Sequence, residues 1–178
     1  MELADFTEKL LKDFNLNERE AARDAVVLLA KFKSKFNRKR EELHKPKLNQ
    51  SQCLELLCSL CDSFKTLSYD HFKEFIDKTE QDMLYLAEKY ELYQRFVNRF
   101  KIDSRAAVGI YLNLRRWINA QREIKAVYEK KQILPLPYEE MDRLVAQLIE
   151  RYSTLDELLT DMKKLENGEG PLMEYVTS

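Results

Sequence analysis

The chain has 178 residues, of which 44% are hydrophobic and 34% charged, with a formal net charge of -1 and only 3 glycines and 4 prolines. So few turn residues exclude a sheet-rich fold, and 9 Phe with 9 Tyr supply more apolar surface than a disordered chain carries. No apolar run approaches the roughly 18 residues of a membrane span, so no membrane partner is expected. The opening segment, Met1 to Phe14, mixes charges into every turn, unlike a secretory signal. Three cysteines without framework spacing fit a reducing compartment. The expected location is the cytoplasm, or the interior of a host cell for a viral protein.

Apolar spacing and end signals predict seven helices. The first covers Glu2 to Asp13. Asn17, with Glu20 three residues on, reads as a capping box. The second helix then runs from Glu18 to Leu43 on a stripe of Ala22, Ala25, Val26, Leu29, Phe32 and Phe36. His44-Lys45-Pro46 stops it, because proline removes a donor and bends the preceding residue out of helical geometry. A third, Gln50 to Phe64, places Cys53, Leu57, Leu60 and Phe64 on one side. Ser68 is the expected cap of the fourth, and Asp103 or Ser104 that of the fifth, which ends before Leu134-Pro135-Leu136-Pro137. A sixth spans Tyr138 to Arg151, and Thr154 with Glu157 opens a seventh that Gly168 closes.

The fourth and fifth helices predict a long antiparallel hairpin, roughly 69–101 and 104–131. Phe72, Ile76, Thr79, Met83, Leu86, Tyr90, Tyr93, Val97 and Phe100 keep a 4-3 spacing, and so do Ala107, Ile110, Leu114, Trp117, Gln121, Ile124 and Tyr128. Folded back at Asp103, this register sets Val97 opposite Ala107, Leu86 opposite Trp117, Thr79 opposite Ile124 and Ile76 opposite Tyr128. It also brings Glu74 near Lys130, Asp77 near Lys125, and Glu80 with Asp82 near Arg122. The fold class is therefore all-α, a bundle of about seven helices around this hairpin. The expected organisation is a main bundle over 1–134, a C-terminal helical hairpin over 138–167 packed on it, and a tail over 168–178.

Few residues offer chemistry. Cys58 and Cys61 form one C-x-x-C within a helix among leucines, where core packing is the ordinary role. A zinc site wants four converging ligands, and a redox pair wants a helix N-terminus. His71 reads as a capping residue and His44 as solvated, and neither has a ligand partner at i, i+4. No nucleotide-binding or nucleophile motif occurs, so no cofactor, no metal and no catalytic residue is expected. The stretch Ile149 to Pro171 resembles the later part of helix-hairpin-helix DNA-binding modules. It departs from them in placing Glu169 between Gly168 and Gly170, where they carry a hydrophobic residue.

Charge is unevenly spread. Residues 92–134 hold ten basic against three acidic side chains, and 135–178 hold four against ten. Lys31 to Lys47 alone carries eight basic residues. Arg95, Arg99, Lys101 and Arg105 crowd the expected hairpin tip, while Arg115, Arg116 and Arg122 share an outward arc of the fifth helix with Arg105 and Lys130. A basic tip and face can hold an acidic protein or phosphates. The expected function is a non-enzymatic helical protein-protein interaction module, an adaptor or regulator whose partner is another protein with an acidic docking surface. The alternative is a nucleic-acid-associated protein using the basic faces of the second and fifth helices. Homo-oligomerisation is compatible with either.

Overall fold

A computed structural model describes residues 1–62 and 69–176. Among them are eight α-helices, one 3-10 helix and no strand, so the all-α helical bundle read from the sequence is the architecture. The helices are α1 (Leu3–Phe14), α2 (Glu18–Glu42), α3 (Gln50–Asp62), α4 (Tyr69–Glu88), α5 (Tyr90–Phe100), α6 (Ser104–Glu129), α7 (Tyr138–Arg151) and α8 (Leu155–Glu166), followed by a 3-10 helix at Pro171–Tyr175. The chain divides into two compact units, residues 1–94 with 103–106, and 95–102 with 107–178. The Leu134–Pro137 segment lies inside the second of these.

Local signals act where the sequence places them. The Glu20 amide donates to Asn17 Oδ1 at 2.9 Å, and the Glu20 carboxylate accepts from the Asn17 amide at 3.2 Å. This satisfies two of the donors that a helix start leaves open. The Glu157 amide donates to Thr154 Oγ1 at 3.3 Å, and Gly168 ends the turn after α8 at a φ of 77°. The stop after α2 leaves His44 exposed at a φ of 57°. Ser68 and Phe64, the expected cap of the fourth helix and the last stripe residue of the third, lie outside the described residues.

In the first unit α1 buries Phe6, Leu10 and Phe14, and the Phe14 ring sits 5.1 Å from that of Phe72 and 5.3 Å from that of Phe75. Each such side chain contributes about 2 kcal/mol through burial. Along α2 the buried set is Ala21, Ala25, Leu28, Leu29, Phe32, Phe36 and Arg40. Ala22 and Val26, expected in the stripe, are exposed. Two adjacent phases share Leu29, Phe32 and Phe36, and packing of α2 on α1 and α4 selects the one that begins at Ala21. On α3, Cys53, Leu54, Leu56, Leu57, Cys58, Leu60 and Cys61 are all buried, wider than one stripe.

The expected unbroken helix over 69–101 is interrupted at Lys89, between α4 and α5. The donors that hold this break come from α2 and the loop after it. The guanidinium of Arg40, fully buried, donates through Nη1 to the Ala87 carbonyl at 3.0 Å, and Lys45 Nζ donates to the Glu88 carbonyl. Arg40 also donates to the Pro46 carbonyl at 2.8 Å and to both carboxylate oxygens of Glu91. Side-chain donors thus serve the carbonyls beside the break, which lets the helix bend without glycine or proline.

In the second unit α6 corrects the expected seam. Ala107, Ile110 and Leu114 are buried as expected, but Ile124 and Tyr128 are exposed by 48% and 84%. Lower on the helix the buried positions are instead Tyr111, Ile118 and Arg122. Tyr111 donates its hydroxyl to Asp142 of α7 at 2.8 Å, and Gln121 Nε2 donates to the Glu166 carbonyl at 3.3 Å. Partners supplied by the C-terminal helices rotate the buried face away from the 4-3 stripe. Of the carboxylates assigned to α6 lysines and Arg122, Glu74 pairs with Lys78 at 3.3 Å and Glu80 with Lys31. Lys125 lies 3.8 Å from Glu129.

Candidate interaction surface

The seven basic residues singled out in the sequence differ in exposure and in what they contact. Arg122 lies inside the second unit, 9% exposed. Its Nε donates to the Leu134 carbonyl at 2.9 Å, and Nη1 reaches the carbonyls of Tyr175 and Val176 at 3.5 Å. This corrects its expected place on an outward arc: the guanidinium serves the Leu134 carbonyl after α6 and the Tyr175 and Val176 carbonyls near the C-terminal end, and so points inward. Arg95 is bound to Glu150 of α7 at 2.8 Å, and Arg99 donates twice to the Tyr152 carbonyl, at 3.3 and 3.1 Å. These two tie the end of α5 to α7. They also line a recess of about 420 Å³ with Asn98, Ile149 and Glu150. Lys101 is exposed at a left-handed φ of 55° just past α5, and Arg105 is half-buried in the first turn of α6.

Arg115 and Arg116 remain, and the structure places them together on a groove. The groove encloses about 700 Å³ between one face of α6 and the extended chain at Ile133 and Pro135. Leu112, Ala120, Ile133 and Pro135 provide its apolar lining, and Arg115, Arg116, Asn119 and Glu123 its polar groups. Spacings of three and four along α6 put the helical members on one side.

Two contacts hold the opposite wall. The Leu136 amide donates to Asn119 Oδ1 at 3.1 Å, and Arg122 holds the Leu134 carbonyl. The segment Leu134-Pro135-Leu136-Pro137 is extended because a residue before proline avoids helical geometry, and these bonds fix it beside α6. Arg115 is positioned as well, its guanidinium 4.5 Å from the centre of the Tyr138 ring. Arg116 is exposed, with Nη2 donating to Asn113 Oδ1 at 2.9 Å. An arginine stacked on an aromatic face keeps its fork of donors free for a carboxylate or phosphate. Asn119, Ile133 and Tyr138 were not singled out in the sequence. The proline pair was the one visible signal that an extended wall follows α6.

The thiols belong to the core of the first unit. Cys53, Cys58 and Cys61 are free and buried, and burial pushes the Cys53 thiol up to about 11. Among the described residues no group of three His, Cys, Asp or Glu side chains is arranged to hold a metal ion. The side chain of His71, expected to cap, lies outside the described residues. Near the end of α7, burial and the 2.6 Å hydrogen bond to Asp161 raise the Tyr152 phenol.

Among the described residues no helix is long and apolar enough to cross a membrane. No protein-family model matches the chain, and neither a curated protein nor a solved structure shows significant similarity to it.

Proposed function

We propose that the chain is a non-enzymatic helical interaction module, an adaptor or regulator, that receives an acidic segment of a partner protein in the groove between α6 and residues 133–135. The observation that carries this reading is the pairing of Arg115 and Arg116 with an apolar lining in one groove. Charge-assisted hydrogen bonds to carboxylates would orient the segment, and its apolar side chains would gain by burial against Leu112, Ile133 and Pro135. Glu123 is the single carboxylate among the described lining residues, and none of them is a nucleophile or a histidine. That set suits binding better than acid-base catalysis. A cytoplasmic location, or a host-cell interior for a viral protein, belongs to the same reading.

A nucleic-acid role draws on the basic faces of α2 and α6. It is the weaker reading, because Arg122 is enclosed and Arg95 and Arg99 are bonded to α7, which leaves α6 a short track for phosphates. The experiment is a titration of the full chain with a labelled oligoglutamate peptide carrying leucines and, separately, with a mixed-sequence oligonucleotide at several salt concentrations. The expected result is peptide binding that Arg115→Glu with Arg116→Glu weakens about tenfold or more. Tighter oligonucleotide binding with a steep salt dependence, abolished by the same pair, would replace this reading with the nucleic-acid one.

A further inference from the structure

A second cleft lies wholly within the first unit, between α2 and α4. It encloses about 400 Å³, with Lys35, Arg38 and Lys39 on the α2 side and Met83 and Leu84 on the α4 side. The carboxylates around it are already engaged. Glu80 is paired with Lys31, while Glu42 and Glu88 lie 3.9 and 4.0 Å from Lys39. Lys35 and Arg38 are exposed, three residues apart on α2, and neither has a carboxylate within ion-pair distance among the described residues. Facing them, Leu84 is 56% exposed although its neighbour Met83 is buried.

Two cations with no ion pair among the described residues, beside an exposed leucine, contribute little to the fold. Lys35 gains only a weaker attraction to Glu80, whose bonded partner is Lys31, and the leucine leaves apolar area in water. We infer that this cleft is a docking site for an acidic segment of a partner protein that carries one large apolar residue between carboxylates. The carboxylates would meet Lys35 and Arg38, and the apolar residue would cover Leu84 and Met83. Nucleic acid is a poorer fit, since a phosphate chain has no apolar side chain to cover Leu84 and Met83. The site is separate from the α6 groove and does not depend on the reading given for it.

The test uses the full chain and a labelled peptide of sequence Glu-Glu-Xaa-Glu-Glu, where Xaa is a benzophenone-bearing phenylalanine. Photolysis followed by peptide mapping reads where the apolar residue sits. The expected result is cross-linking to the segment containing Met83 and Leu84. It should fall about tenfold in Lys35→Glu/Arg38→Glu and stay unchanged in Arg115→Glu/Arg116→Glu. Leu84→Asn, an exposed substitution that leaves the fold intact, should also weaken it, which a purely ionic association would not show. Cross-links confined to residues 112–135 would overturn the α2–α4 site while supporting the α6 groove. Labelling at Met83 and Leu84 that survives the α2 charge reversal, or that an oligonucleotide displaces more effectively than the unlabelled peptide, would also overturn it.

Discussion

Replacing Arg40 with methionine removes the buried guanidinium at the α4–α5 break while keeping most of the side-chain volume. Arg40 heads the fully buried side chains in size, and its donors serve the carbonyls of Pro46 and Ala87 and the carboxylate of Glu91. The carboxylate is the smaller loss, because the Glu91 side chain is 58% exposed and water can replace the arginine there. The two carbonyls matter more. The buried Ala87 carbonyl left without this donor costs about 1–3 kcal/mol and the part-buried Pro46 carbonyl less, giving about 2–4 kcal/mol in all. For a chain of this size that corresponds to a fall of about 10 °C in Tm.

Urea unfolding followed by circular dichroism measures it directly, with two controls. Arg40→Lys, which keeps the charge but not the fork of donors, should recover part of the loss. Glu91→Gln should cost less than about 1 kcal/mol. If Arg40→Met costs under about 1 kcal/mol, the carbonyls at the break are served by water and the side-chain account is wrong. If Glu91→Gln costs as much as Arg40→Met, the energy resides in the ion pair and not in the carbonyls.

The Arg40 hydrogen bond holds the Glu91 carboxyl below its usual value, so its contribution to stability is complete above the ordinary glutamate range and is lost as pH falls through the lowered native value. Urea midpoints between pH 6 and 3 should therefore decline less in Glu91→Gln than in the parent; equal declines would refute the linkage. Arg122→Ala should destabilise by about 1–3 kcal/mol by removing the donor to the Leu134, Tyr175 and Val176 carbonyls, whereas Arg116→Ala should change stability by under about 0.5 kcal/mol. Comparing their thermal midpoints separates the structural arginine from the surface one. With a thiol at about 11, roughly one Cys53 in a thousand is ionised at pH 8, so an aromatic disulfide reagent should label Cys53 only on unfolding, and prompt labelling of the native chain would contradict its burial. Cys61→Ala should cost on the order of 1 kcal/mol, read from the same urea curves.

Much of the local architecture is legible from the sequence, because its causes lie within a few residues. The box of Asn17 and Glu20, the Thr154 cap, the stop at His44-Lys45-Pro46 and the bounds Tyr138–Arg151 for α7 depend on neighbours in the chain and stand where they are read. The all-α class follows from composition and spacing in the same way. The interruption at Lys89 has no such mark. No glycine or proline announces it, and the groups that hold it, Arg40 and Lys45, are more than forty residues away.

The face that α6 buries shows the same limit. Stripes beginning at Ala107 and continuing through Trp117 or through Ile118 are both helical, and hydrogen bonds from Tyr111 to Asp142 and from Arg122 to Leu134, Tyr175 and Val176 select the second. The candidate sites depend on that choice. A charge count cannot tell an arginine that satisfies backbone carbonyls from one exposed beside a groove. Arg122 and Arg116 lie six residues apart on one helix, and the sequence by itself determined only that both are cations. Tertiary packing alone decided which of them is spent on backbone carbonyls and which stays available, because the partners come from distant parts of the chain.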